Sequence, residues 1–406
     1  MRYLYFAALL CLAAPAIAQF RNDNVKYKTV YPEDLCTALR DNPGYVLLDV
    51  RSQGEYEDSL SSAPGLNIGH IDGSLHISIQ ELPQRWKELL PYKDKPLFIY
   101  CSHSQRSRRA SRLLSDSGFV KLFNVDGGLT NFYVQGIAGN PCGNFKIITR
   151  NPYTIISPKQ LVENAGKMNP PFILDVRPDS SFREISKSAE ANIFGHFDNA
   201  VNIPLEKLPE SLARVPENKP LLIVDEYGSE SAKAAQLLAA KGYKDISILI
   251  NGMAEWLDFT VDQGNSKIVP WTQHLPYRLL SANEFDKMMS AKKEITLIDV
   301  RSAEEFNNTS KNYWENIGNI QGAINIPAAG INQSPLLPAS KNAKLLLYGF
   351  NDQDAIYTAA AELVKKGYTD VSVLRSGIWN LRWSSHNIKG KEGLNKWVVN
   401  VPEQNQ

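Results

Sequence analysis

Short apolar runs alternate along this chain with stretches whose apolar residues recur at helical spacing. Pro96-Leu-Phe-Ile-Tyr100 reads as a buried strand, and 108–114 carries Ala110, Leu113 and Leu114 on one helical face, with Gly118 as a stop. The pattern returns with Leu221-Leu-Ile-Val224 ahead of 231–240, and with Leu345-Leu-Leu-Tyr348 ahead of 355–364. Strands that are apolar throughout, separated by helices, predict βαβ crossovers and a mostly parallel, buried sheet. The expected fold class is α/β.

The alternation belongs to a longer repeat. Leu47-Leu-Asp-Val-Arg51 recurs as Ile173-Leu-Asp-Val-Arg177 and as Leu297-Ile-Asp-Val-Arg301, with the aspartates 126 and then 124 residues apart. After each comes a second match: Ile68-Gly-His-Ile-Asp-Gly, Phe194-Gly-His-Phe-Asp-Asn, and Ile317-Gly-Asn-Ile-Gln-Gly. A third closes each unit, with Gly127, Gly252 and Gly377 spaced by 125 residues. This period is a whole domain, well above the roughly 20 to 50 residues of solenoid repeats. The expected organisation is a leader at 1–18 and domains at 26–146, 153–262 and 277–390. The connections near 145–155 and 262–276 are marked by Asn, Gly and Pro.

The leader stands apart. Arg2 precedes an apolar run over 4–14, and Ala16-Ile17-Ala18 is a small-x-small cleavage signal. The run is shorter than the roughly 20 residues a membrane span needs. The expectation is a signal peptide cleaved after Ala18, a periplasmic or secreted protein, and no membrane attachment afterwards. Removing Arg2 would leave 43 of the 44 basic residues against 43 acidic ones, so overall charge gives no reason to expect nucleic-acid binding. The six histidines lack metal-site spacing, and neither metal nor cofactor is expected. Of the cysteines remaining after cleavage, Cys36 and Cys142 are the candidate disulfide, although Cys36, within a helical stretch, reads more readily as a small buried hydrophobe.

The Leu-x-Asp-Val-Arg strand, the Gly-His-Ile-x-Gly turn and a strand ending in Cys-x-x-x-x-Arg before a helix together resemble the rhodanese superfamily. The resemblance covers nearly all of the chain after the leader. It implies three tandem rhodanese-like domains, each a mostly parallel central sheet flanked by helices. In the first, the loop Cys101-Ser102-His103-Ser104-Gln105-Arg106-Ser107 lies between a strand end and a helix start, the usual place for ligands in α/β folds. Backbone N–H groups there face one centre and the helix end adds partial positive charge, conditions that favour a thiolate.

The resemblance implies Cys101 as nucleophile in a two-step sulfur transfer. A small anionic donor such as thiosulfate would leave its outer sulfur on Cys101 as a persulfide, and cyanide or a thiol would remove it. Residues 102–107 would bind the donor, with Arg106 on the incoming anion and Arg108 or Arg109 at the rim. Five positions from Cys101 to Arg106 match the sulfurtransferase loop; related phosphatases and arsenate reductases carry one residue more. Ser104 stands where the family often has glycine. A non-catalytic scaffold and a thiol redox or persulfide carrier are the alternatives. Asp225 and Gly349 occupy the place of Cys101 in the other modules, and Glu230 and Asp354 that of Arg106, so both modules are expected to be inactive supports or surfaces for a protein partner. The Asp-x-Arg pairs at Asp49, Asp175 and Asp299 survive in these modules and therefore read as braces. Trp256, Trp379 and Trp383 read as packing residues.

Overall fold

The computed structural model describes residues 26–139, 145–165, 170–263, 268–291 and 294–402. The expected leader lies outside these residues. Three five-stranded sheets share one topology. In the first module the spatial order is Lys28–Val30, Leu122–Val125, Leu97–Tyr100, Val46–Asp49 and Leu75–His76, with every pair parallel. The second module repeats it with Thr154–Ile156, Ile246–Leu249, Leu221–Val224, Phe172–Asp175 and Val201–Asn202. The third uses Arg278–Leu280, Asp370–Leu374, Lys344–Tyr348, Thr296–Asp299 and Ile324–Asn325. The central strand of each is buried on both faces, which is why it reads as an unbroken apolar run.

The Asp-x-Arg motif braces all three sheets, as the repeat implied. Arg51 Nη2 donates to Asp49 Oδ2 at 2.7 Å and to the Gly69 carbonyl at 2.5 Å. Arg177 does the same to Asp175 and Gly195 at 2.6 and 2.7 Å, and Arg301 to Asp299 and Gly318 at 2.7 and 2.9 Å. All six charged groups are buried, so each pair ties the strand end to the following turn where water cannot compete.

Gly69, Gly195 and Gly318 sit at φ of 74°, 59° and 83°, and a Cβ at any of them would overlap a carbonyl of a neighbouring short strand. Those strands, Ile147–Ile148, Trp271–Thr272 and Val398–Val399, pair antiparallel with His70–Ile71, His196–Phe197 and Asn319–Ile320. Each thus returns onto its own module from a segment that the sequence pattern left as a linker or tail. Trp256 is fully buried in an apolar cluster that runs from the second module into Leu279, Val371 and Val373 of the third. Trp379 and Trp383 stack at 6.2 Å against the third core.

Candidate active site

Cys101 follows the strand Leu97–Tyr100 and precedes the helix Gln105–Asp116. It is a free thiol, only 1% exposed, whereas Cys36 is half-buried and disulfide-bonded. That corrects the reading of Cys36 as a small buried hydrophobe; the expected partner Cys142 lies outside the described residues. Ser107 Oγ lies 3.6 Å from Cys101 Sγ and 3.0 Å from the Ser104 carbonyl, so its one proton is directed at the sulfur and the loop backbone together.

The loop is closed from behind by glycine. Leu129 N–H donates to the Cys101 carbonyl at 2.8 Å and Thr130 N–H to that of Ser102 at 3.1 Å. Gly128, at φ 60°, backs onto these carbonyls, and a Cβ there would overlap them. Gly252 and Gly377 hold the same position against Asp225 and Gly349. The structural partner of Gly252 and Gly377 is therefore Gly128, not Gly127; the even 125-residue spacing aligned the motif one residue off.

Ser104 adopts φ 83°, ψ −31°, where the second module has Gly228 at φ 92°, ψ −11°. A left-handed non-glycine residue is strained by roughly 1–2 kcal/mol. The hydroxyl offsets this by accepting the Gly127 N–H. Serine thus keeps the turn that glycine makes elsewhere, and adds a tie to the neighbouring loop.

Arg106 does not stand free for an anion. Its Nη1 and Nη2 donate to Glu55 at 2.5 and 2.6 Å, and Nη2 also to Ser102 Oγ at 2.8 Å. Burial would raise the Glu55 pKa, but hydrogen bonds from Arg106 and Ser52 bring it down to about 2. Arg106 therefore locks the loop to the helix Gln53–Tyr56. Glu55 itself was overlooked, although Ser52-x-x-Glu55 is a capping-box signature legible in the sequence. Arg108 is also engaged, with Asp126 at 2.8 Å and the His386 carbonyl of the third module at 3.0 Å, and so ties the first module to the third. Arg109 is exposed on the helix. His103 Nδ1 lies 3.0 Å from Ser102 Oγ, and burial together with Arg106 lowers its pKa to about 4. Gln105 opens the helix, half-buried.

The second module displays what this loop geometry holds. Asp225 occupies the place of Cys101, with its carbonyl bonded by Met253 N–H at 2.8 Å just as Leu129 bonds that of Cys101. The Asp225 carboxylate turns into the loop, accepting from Gly228 N–H at 2.7 Å and Glu230 N–H at 2.8 Å. Burial raises its pKa while these backbone bonds oppose the rise. The cradle is thus an anion-holding arrangement that module two fills with its own side chain. In module one the corresponding residues are Ser104 and Arg106, and the side chain reaching in is the thiol. In module three the position is Gly349 and the chain offers no such group.

The rhodanese-like domain family matches residues 32–135, 157–259 and 281–381. The chain belongs to that family. Three rhodanese-like repeats account for the three parallel sheets, and membership supports sulfur-transfer or persulfide chemistry in general. Among curated relatives, the tRNA uridine(34) hydroxylase of Cronobacter sakazakii is 29% identical over 99 residues, which is 23% of this chain and 26% of its own. A Bacillus subtilis protein, the uncharacterized YqhL, is 37% identical over 82 residues, 20% of this chain and 56% of its own. The chain thus spans about a quarter and about half of these relatives. A thiosulfate sulfurtransferase of Pseudomonas aeruginosa is 17% identical, covering 89% of this chain and 65% of its own with a TM-score of 0.23. A rhodanese-related protein of Thermoplasma volcanium is 31% identical, covering 27% and 94% with a TM-score of 0.22.

Proposed function

We propose that the protein is an exported sulfurtransferase whose sulfur carrier is Cys101. The observation that carries this reading is the pairing of a free, buried thiol with a loop that, in its self-filled copy, holds an anion by backbone N–H groups. In the first half-reaction the Cys101 thiolate attacks the outer sulfur of thiosulfate. A Cys101 S–S bond forms, the donor S–S bond breaks, and sulfite leaves with the bonding pair. The persulfide anion then rests where Asp225 rests in module two, stabilised by preorganised donors. In the second half-reaction cyanide attacks the outer sulfur, thiocyanate leaves, and the Cys101 thiolate returns.

Export rests on the charged, apolar and small-residue pattern of 1–18, and the disulfide-bonded Cys36 suits an oxidising compartment. The second and third modules serve as supports, because neither Asp225 nor Gly349 can carry sulfur. Thiocyanate formation from thiosulfate and cyanide tests the assignment. Turnover by the mature protein that disappears in Cys101→Ser supports it; turnover that survives the substitution overturns it.

A further inference from the structure

Three short turns occupy equivalent places in the modules: Pro64–Leu66, Glu190–Asn192 and Tyr313–Glu315. Each is fastened by an asparagine that closes a ring of hydrogen bonds with one earlier residue. Asn67 bonds the Leu60 N–H and carbonyl at 3.1 Å each. Asn192 bonds those of Ser186 at 2.8 and 2.9 Å, and Asn316 those of Ser310 at 3.0 and 2.9 Å. Two residues before each asparagine stand Gly65, Glu190 and Trp314.

The first two touch the next module's loop. A Cβ on Gly65 would lie 3.0 Å from the Gly228 carbonyl carbon and 3.1 Å from Ser229 N, so a larger residue there would press the second module's loop outward. The Glu190 N–H donates to Asp354 at 2.8 Å, beside Ser188 Oγ at 2.6 Å. Those targets, Ser229 and Asp354, each open their module's loop helix and both correspond to Gln105 of module one.

The modules also follow one another around a closed ring. At the end of the same sheet strand, Ile250 of module two packs into the core of module one. Arg375 of module three bonds Asp258 at 2.5 Å and the Ala254 carbonyl at 3.2 Å in module two. The Arg108–Asp126 pair of module one reaches the His386 carbonyl of module three. Lys389 to Asp34 at 2.7 Å continues that last contact. Each module therefore seats its strand end on the last helix of the one before it, with the first seated on the third.

We infer that Trp314, with Tyr313, stands over the Cys101 loop opposite Gln105, and forms an aromatic wall for the sulfur acceptor. Glycine lets module one close tightly on the second loop. Tryptophan, the bulkiest side chain, cannot repeat that approach. The two rings meet edge to face at 5.5 Å and each is 39% exposed, leaving aromatic surface for a flat molecule. The wall selects an acceptor with an aromatic or apolar body beside its sulfur. This role rests on the persulfide reading above. In the step concerned, the acceptor thiolate forms a bond to the outer sulfur, the Cys101 S–S bond breaks with its pair on Cys101, and the product is the acceptor's persulfide.

The test compares thiophenol and cyanide as acceptors from thiosulfate-loaded mature protein, with loading followed by intact mass. Trp314→Ala should raise KM for thiophenol roughly 3- to 10-fold while loading and KM for cyanide stay unchanged, and Trp314→Phe should recover most of the loss. An unchanged thiophenol KM, or equal losses with both acceptors, overturns the selectivity. A wild-type protein that never loads sulfur sinks the persulfide reading and the acceptor role with it. Placement is then decided separately by Trp314→Cys and a short bifunctional thiol reagent: a cross-linked peptide joining position 314 to Cys101 supports it, and single labelling of both thiols without a cross-link overturns it.

Discussion

Glu55 is pulled two ways, upward by burial and downward by Arg106 and Ser52, and the downward pull prevails with a pKa of about 2. A carboxylate lowered on folding contributes stability that is full above its ordinary value of 4.5 and is lost as pH falls toward about 2. Glu55→Gln should therefore lower unfolding free energy by about 2 kcal/mol at neutral pH, since a partly buried guanidinium loses its partner. Denaturant unfolding at a series of pH values should show the gap from wild type narrowing between pH 4.5 and about 2. A gap that stays constant with pH contradicts the ion-pair account. His103 acts in the same sense at higher pH. Its folded pKa of about 4 lies below the ordinary 6.5, so stability falls as pH drops through that window, and His103→Gln should flatten the slope there. Cys101, its loop and Glu230 at the place of Arg106 were legible from residue order; Asp354 was misaligned by one residue, because it opens the helix Asp354–Lys365 as Gln105 opens Gln105–Asp116, and Ala355 stands at the place of Arg106. The partner of Arg106 is not legible in residue order, because it lies 51 positions away and only the fold brings it near.

At the scale of the element, the loop depends on two backbone positions that answer differently to substitution. Gly128 faces the Cys101 and Ser102 carbonyls at positive φ, so Gly128→Ala must displace the strand end or the helix behind it, and should destabilise the protein by about 3 kcal/mol or more. Ser104→Gly relieves a strained backbone but removes the bond to Gly127, and the two effects should cancel to within about 1 kcal/mol. Thermal unfolding of the two variants separates these cases; a harmless Gly128→Ala would contradict the close packing described. The strands and helices were legible because their apolar periods are long and clean. The two-residue strands that close each module were not, since two residues carry no period, and Gly127 was aligned for Gly128 because a one-residue gap is invisible to spacing alone.

Across the whole molecule the repeat predicted three α/β domains, and three sheets of one order are present. How they join was beyond a sequence reading, because contacts such as Arg375 with Asp258 and Asp352 link residues more than one strand or one module apart. Arg375 is buried between these two carboxylates. Arg375→Met should leave them without their cation and lower stability by about 3 kcal/mol, with calorimetry showing modules two and three unfolding in separate steps. A single unshifted transition would mean that the apolar cluster alone couples them. The larger claim is that one module of three carries sulfur while the others hold it in place. Intact mass of the mature protein after thiosulfate, beside Cys101→Ser and with the thiol shown to be reduced beforehand, tests that claim most directly. The account predicts a gain of one sulfur atom per chain, absent from the variant; no gain in wild type, or an equal gain in both proteins, would contradict it.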